Sequence, residues 1–267
     1  LAASGRTFFE DFGVSGFSAA WLALRAAADA GARNRKLACR FAASLPKNAL
    51  VADLGAGTGA LMRWFAPQMP TARWLLVDGD AALLAQAPSR ARKQRQSLLA
   101  RLPRADGYAS SALIDLAGIA WLRRLVAVAR GKPLMMFLAV DGRHVFDPPH
   151  AQDAAVFSAF ARHQQRNKGL GFALGARAPA ALARIARDAG YRVQLATSDW
   201  HLRDSAMLES MIEGLADAAS EADPSLDLVA WKRLRRAQIV SGKLTLLVGH
   251  LDLLATRHRY RRTPHRA

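Results

Sequence analysis

The run Val51-Ala52-Asp53-Leu54-Gly55-Ala56-Gly57-Thr58-Gly59 joins an apolar, acid-bearing strand to a helix-like stretch, Ala60 to Phe65, through three alternating glycines. Glycine permits a tight turn and lets a ligand approach where a Cβ would block it. The helix start behind the turn offers free N–H groups. Roughly twenty residues on, where a ribose-binding acid follows such a loop, Trp74-Leu75-Leu76-Val77-Asp78 reads as a second buried strand ending in an acid. An acid at the carboxyl edge of the next strand is placed to accept hydrogen bonds from both ribose hydroxyls. The two signals together describe a nucleoside-containing ligand lying across the top of a parallel sheet.

Charge narrows the choice of nucleoside. A dinucleotide brings a pyrophosphate, and its usual fingerprint is Gly-x-Gly-x-x-Gly. Here the spacing is Gly-x-Gly-x-Gly, and Asp53 stands two residues before the first glycine. A carboxylate there repels a pyrophosphate and welcomes an ammonium group. S-adenosylmethionine has a ribose, no phosphate and a cationic amino-acid end, so it is favoured over NAD, and a dehydrogenase is the least favoured reading.

At these residues the chain resembles the class I S-adenosylmethionine-dependent methyltransferases. Asp53 through Gly59 match the first motif of that family, and Asp78 matches the acid ending its second strand. The resemblance extends over roughly residues 20 to 256. Trp21-Leu22-Ala23-Leu24-Arg25, Ser111-Ala112-Leu113-Ile114-Asp115-Leu116 and Val248-Gly249-His250-Leu251-Asp252 look like a bacterial branch of the same family. The resemblance implies a cofactor site formed by Asp53, Gly55, Ala56, Gly57, Thr58, Gly59, Asp78 and Gly79, with Ser110 and Ser111 at the end of the fourth strand. It also implies a third strand whose terminal acid contacts the adenine. Between Ala87 and Ala105 the chain offers mostly Arg, Gln and Leu. That strand is therefore short, absent or replaced by a helix, and Asp106 is the substitute acid available.

Methyl transfer from a sulfonium is an in-line displacement, so the protein mainly aligns donor and acceptor and excludes water. A base is needed only where the acceptor must lose a proton. Ser111 is a candidate beside the transferred methyl, and Asp115 either caps a helix or acts in catalysis. Thr58 hydrogen-bonds the methionine carboxylate or caps the helix behind it. The stretch Arg162 to Gly171 concentrates polar donors ahead of a glycine segment and is the candidate substrate loop, with His163, Arg166 and Lys168 as its acting residues. His163 has an unperturbed pKa near neutrality and suits a general base, or it belongs to a solvated, cation-rich helix end. His250 and Asp252 share one face of the last strand and read as a buried hydrogen-bonded pair rather than a metal site. Asp147-Pro148-Pro149-His150 resembles the Asp/Asn-Pro-Pro-aromatic motif of amino-group methylases but stands after the fifth strand, and is read as a turn. No HxxxH, cysteine cluster or serine elbow is present, and no metal is expected.

The elements that must position these residues follow from periodicity. Residues 19–43 read as one or two helices lying over the sheet. Strands are expected at Leu50 to Leu54, Trp74 to Asp78, Tyr108 to Leu113, Pro133 to Val140, Tyr191 to Ala196 and Leu244 to Leu254. Helices are expected at Ala81 to Ala87 capped by Asp80, Leu116 to Arg130, Ala151 to Gln165, Pro179 to Ala189, 204–219 and 226–240. The alternation predicts an α/β fold: a doubly wound, mostly parallel, seven-stranded Rossmann-like sheet with extra N-terminal and late helices. One domain is expected over 1–256, with 1–45 as a helical cap and 46–256 as the α/β core, followed by a basic tail at 257–267.

The chain has 267 residues, 51% of them apolar, enough for a sizeable core. Its one cysteine, Cys39, excludes an internal disulfide framework and fits a reducing cytoplasm. No run reaches the length of a membrane span; the first 17 residues lack secretory-signal features, and Leu1 in place of Met reads as a trimmed start. The net charge of +17 is clustered: six cations in 90–104, four in 232–236 and five in the tail. The clusters raise RNA as a rival acceptor, but they lack interleaved aromatics for base stacking; the tail has only Tyr260. A small-molecule acceptor is the leading expectation, and a non-catalytic module that keeps the cofactor pocket is the rival from another class.

Overall fold

In the computed structural model, which describes residues 17–257, every apolar run foreseen as a strand joins one sheet. The expectations on the opening segment and on the tail beyond Arg257, Tyr260 included, lie outside the described residues. The strands are β1 (Leu50–Leu54), β2 (Arg73–Asp78), β3 (Arg92–Arg95), β4 (Gly107–Ser111), β5 (Leu134–Asp147), β6 (Arg192–Thr197), β7 (Trp200–Leu202) and β8 (Thr245–Thr256). Their lateral order is β3-β2-β1-β4-β5-β8-β6, with β7 following β6 along the same edge of β8. The sheet therefore has seven lateral positions, the last shared by two short strands. β8 runs antiparallel to β5, β6 and β7, while the β3-β2-β1-β4-β5 pairings are parallel. The chain reverses its lateral direction between β1 and β4, and in open α/β sheets ligands bind at the carboxyl ends flanking such a point.

Helices α5 (Ile119–Ala129) and α7 (Ala178–Asp188) cover one face over Leu54, Leu122 and Leu182. On the other face, α2 (Arg35–Ser44) and α3 (Ala60–Phe65) pack Phe41 and Phe65 on Val51 and Phe137. Past β8, α6 (Asp153–Gln164), α8 (Ser205–Ala222) and α9 (Leu228–Val240) enclose a third cluster around Phe146, Ile212 and Trp231. Asp80 caps α4 (Ala81–Ala85) as expected, accepting from Ala82 and Leu83 N–H at 2.7 and 3.1 Å. The two cap helices meet the sheet through Asn34. Its side chain caps α2, and its own N–H donates to Asp252 Oδ2 at 2.6 Å.

Of the alternatives for the third strand, the short one holds, and several other expectations are corrected. The third strand exists as β3, four residues of Arg, Lys and Gln paired in parallel to β2. An edge strand needs one lateral partner and no apolar face, which is why composition hid it. Asp106 is no substitute for the adenine acid. It lies at the amino edge of the sheet, accepting from Leu50 N–H at 2.9 Å at the start of β1. β5 continues past Val140 to Asp147 because β8 pairs with it throughout, with register shifts at two bulges. Leu116 lies in a 3₁₀ turn over Ile114–Leu116, and the helix starts only at Ile119. His250 and Asp252 are both buried but do not bond each other. Asp252 Oδ1 accepts from Leu138 N–H at 2.8 Å, holding a β5 bulge in which Leu138 has φ +54°. The 232–236 cluster is no free basic face either: Lys232 and Arg236 pair with Glu213 and Glu209 of α8, and Arg235 is fully buried.

Candidate functional site

The glycine loop folds over the carboxyl end of β2. Gly55 and Ala56 N–H both donate to Val77 O, at 2.9 and 3.2 Å. Gly57 N–H donates to Asp78 Oδ2 at 2.7 Å, and Asp78 Oδ1 accepts from Asp80 N–H at 2.9 Å. Loop and acid, read separately in the sequence, thus hold each other. Gly57 and Gly59 have φ of +51° and +78°, a conformation L side chains rarely adopt. A Cβ at Gly57 would stand 3.0 Å from Leu22, and one at Gly59 2.9 Å from Pro88. Thr58 does not cap α3: its Oγ1 accepts from Arg63 at 3.2 Å.

Around this loop lies a cavity of about 380 Å³. Asp53, Gly55, Ala56, Gly57, Thr58, Asp78, Gly79 and Ser111 all border it, and Lys168 reaches it from the polar loop. Gly59 itself starts the helix behind the cavity. Ser97 and Leu98, just past β3, close the side where an adenine acid was sought.

Two buried ionisable groups, Asp53 and Arg33, dominate the floor. Asp53 is 1% exposed, and its Oδ2 has no hydrogen-bond partner. Burial pushes its carboxyl up to about 8, with the Arg33 guanidinium opposing the rise and Asp78 adding to it. Arg33, at the end of the first cap helix, α1 (Ala19–Ala32), donates to Ser111 Oγ at 3.1 Å and to Asp29 Oδ2 at 3.5 Å. Sequence reading missed Arg33, although Arg25, Asp29 and Arg33 repeat at i, i+4, the spacing that stacks side chains on one helix face.

The raised Asp53 carboxyl has a consequence for stability. The folded chain holds a proton that the unfolded chain releases above its ordinary value of 3.8. The Asp53 contribution to stability therefore falls as pH rises from about 4 to about 8, and is flat above. Asp53→Asn is expected to remove this fall. Thermal unfolding across that range should find the variant more stable than the parent near pH 8 and equal near pH 4. Parallel pH curves for the two proteins would contradict the assignment.

A second cavity of about 100 Å³ adjoins the first, sharing Arg25, Ala112 and Leu116 as common wall. Three runs singled out in the sequence converge here, through Trp21 and Arg25, Asp115 and Leu116, and Val248 and His250. Trp200, from the strand that sequence reading missed, packs against His250 with ring centroids 4.8 Å apart and lies under the Arg25 guanidinium. Asp115 is buried and its Oδ1 is unpartnered, so it does not cap a helix through that atom. Burial pushes its carboxyl up to about 6, with Arg25 opposing. Burial also holds the His250 imidazole down to about 4.

Other candidate residues are placed elsewhere. Ser110 turns its hydroxyl into the sheet against Met136 Sδ, at 3.0 Å, since successive strand residues face opposite ways. His163 is buried and bonds Glu221 Oε2 of α8 through Nε2 at 3.1 Å. Arg166 donates to the same carboxylate oxygen at 2.6 Å. Both tie α6 to α8, and neither borders either cavity. Of the proposed substrate loop, Lys168, Gly169 and Leu170 border the first cavity and Gln164 borders the second.

Among the described residues, no helix is long and apolar enough to cross a membrane. Protein-family models and curated proteins give no match to this chain. Solved structures do. A candidate type II methyltransferase from Anaeromyxobacter dehalogenans aligns at 15% identity and TM-score 0.52, covering 84% of this chain and 96% of that one. The YcgJ protein from Bacillus subtilis aligns at 11% identity and TM-score 0.50, covering 84% and 99%. The chain spans about half (49%) of human N-acetylserotonin methyltransferase, solved in complex with SAM, covering 66% of its own length at 15% identity and TM-score 0.42. The seven-position sheet with one reversed strand, the glycine loop at its switch point and the Anaeromyxobacter and Bacillus subtilis alignments give the chain the Rossmann-like fold that methyltransferases of this kind share.

Proposed function

We propose that the chain is an S-adenosylmethionine-dependent methyltransferase acting on a small molecule. The observation that carries this reading is the buried, half-unpartnered Asp53 carboxylate beneath a glycine loop that is bonded to Asp78. An orphaned buried oxygen is costly unless something completes it, and an ammonium group does so while offsetting the burial that raises this acid. Asp78 retains lone pairs on both oxygens for ribose hydroxyls. Arg33, adjoining Asp53 and Ser111, is placed to receive the carboxylate at the same end. When bound, S-adenosylmethionine supplies an electrophilic methyl group on a positively charged sulfur. The chain's residues bind it, point it toward the Arg25 and Leu116 wall, and keep water out.

The second cavity supports a small acceptor: it is narrow, mostly apolar and roofed by α1. Of the cap expected over 1–45, the described part from residue 17 onward lies over the α/β core, and we take the two as one domain. Calorimetric titration with S-adenosylmethionine and S-adenosylhomocysteine tests the reading. One-site saturable binding of both is expected. Absence of binding at millimolar ligand, or tighter binding of reduced NAD, would overturn it.

A further inference from the structure

We propose that the second cavity takes a flat aromatic molecule bearing one ionisable hydroxyl, and that Asp115 is the base that accepts its proton. The methyl-transfer part rests on the function proposed above; the binding part does not.

The shape of the acceptor follows from the walls. Trp21, His144, Phe160 and Trp200 line a space of about 100 Å³, and ring-lined narrow cavities favour flat apolar bodies. The polar handle follows from what is left unpaired. Asp115 Oδ1 and Trp200 Nε1 are buried in this wall without partners. His250 Nδ1 lies 2.9 Å from Val248 O, which requires the proton on that nitrogen and leaves Nε2 as an acceptor. A hydroxyl is a small group that both donates to a carboxylate and accepts from an indole N–H.

Two alternatives fit less well. A carboxylate or phosphate acceptor would need an available cation, but Arg25 is already engaged by Asp29 through three hydrogen bonds at 3.1–3.2 Å. A neutral amine attacks with its own lone pair and does not need a base first, whereas a phenolic oxygen is a weak nucleophile until its proton moves. A buried base beside the wall shared with the donor site therefore points to oxygen. The charged and titratable groups facing Asp115 are Arg25 from α1, His144 from β5 and His250 from β8. Burial lowers both histidines, so neither is a cation at neutral pH. Asp115, pushed up to about 6, is still largely ionised there and is a better base than an ordinary carboxylate.

The step balances as follows. The O–H bond breaks and its proton passes to Asp115. The oxygen forms the new O–CH₃ bond as the methyl–sulfur bond breaks, leaving that electron pair on sulfur. The proton returns from Asp115 to solvent when the product leaves.

The test uses the full chain and two pairs of probes: 4-methylphenol against toluene, and 4-nitrophenol against nitrobenzene. In calorimetric titration, with and without S-adenosylhomocysteine, each phenol is expected to bind at least about tenfold more tightly than its partner. Asp115→Leu should erase that preference. Asp115→Asn, isosteric and still an acceptor, should hold 4-methylphenol within about threefold and slow its methylation by about 100-fold or more. The loss should shrink below about tenfold for 4-nitrophenol at mildly alkaline pH, where that phenol is already ionised. Phenols binding no better than hydrocarbons would overturn the proposal, even in a protein that binds S-adenosylmethionine. So would an equal loss of rate for neutral and ionised phenols, the mark of a merely structural residue. Phenol binding that persists without any binding of S-adenosylmethionine would sink the donor reading and leave the cavity assignment standing.

Discussion

Asp78→Ala is expected to weaken S-adenosylmethionine binding by about two to three orders of magnitude. The carboxylate does two jobs at once. It holds Gly57 N–H at 2.7 Å and Asp80 N–H at 2.9 Å, fixing the glycine loop against β2. It also presents its remaining lone pairs to the cavity, where two ribose hydroxyls are expected. A hydrogen bond to a charged group contributes roughly 1.5–3 kcal/mol, so losing two, taken at the low end of that range, costs at least about 3 kcal/mol, or at least about 100-fold in affinity. Asp78→Asn keeps one oxygen acceptor and should cost about tenfold. Thermal unfolding gives an independent readout, because a ligand that binds only the folded chain raises its melting temperature. The parent protein should gain stability from saturating S-adenosylmethionine, and the alanine variant should gain almost none. An alanine variant binding within threefold of the parent would remove Asp78 from the site.

The largest expected effect on stability lies far from that site. Asp153→Ala should lower stability by about 3–5 kcal/mol, the usual cost of removing one partner from a buried ion pair. For a chain of this size that corresponds to a drop of roughly 10 °C in melting temperature. Arg235 is fully buried, stacked over Phe146 with 4.3 Å from its guanidinium carbon to the ring centre, and both its Nη2 contacts go to Asp153. The same carboxylate accepts from Trp231 Nε1 at 2.9 Å, and Arg235 Nη1 donates to Pro148 O at 2.8 Å. Removing the acid strands a buried guanidinium and an indole N–H together. The companion experiment is Asp153→Leu with Arg235→Met, which leaves neither charge and should recover most of the loss. Calorimetric unfolding of the three variants checks both statements. If the double variant is no more stable than Asp153→Ala, the cost lies in packing rather than in an uncompensated charge. Binding of S-adenosylmethionine should be unchanged in the double variant, since the pair sits under α6 and α9, away from the glycine loop.

The glycine-loop cavity was legible in the chain because its determinants are local. A strand, a turn and a helix start carry Asp53 and the glycines within seven residues, and Asp78 follows at the distance one crossover requires. Strands buried on both faces, such as Leu134 to Ala139, announce themselves by composition, so the parallel sheet was readable too. What escaped is what depends on partners distant in sequence. β3 and β7 are short edge strands defined by the neighbour they pair with, not by their own residues. His163 and Arg166 have the types and spacing of a catalytic loop, yet α8 brings Glu221 to both and turns them into a tie between helices. Arg235 reads as part of a basic cluster until α6 carries Asp153 against it. The second cavity is tertiary throughout: Arg25, Asp115, Trp200 and His250 come from four separate elements. The sequence by itself determined the fold class and the glycine loop with its two acids, because backbone geometry and local charge specify them. Which buried carboxylate lines the second cavity was decided only by packing, since burial and an unpaired oxygen belong to an environment and not to a residue.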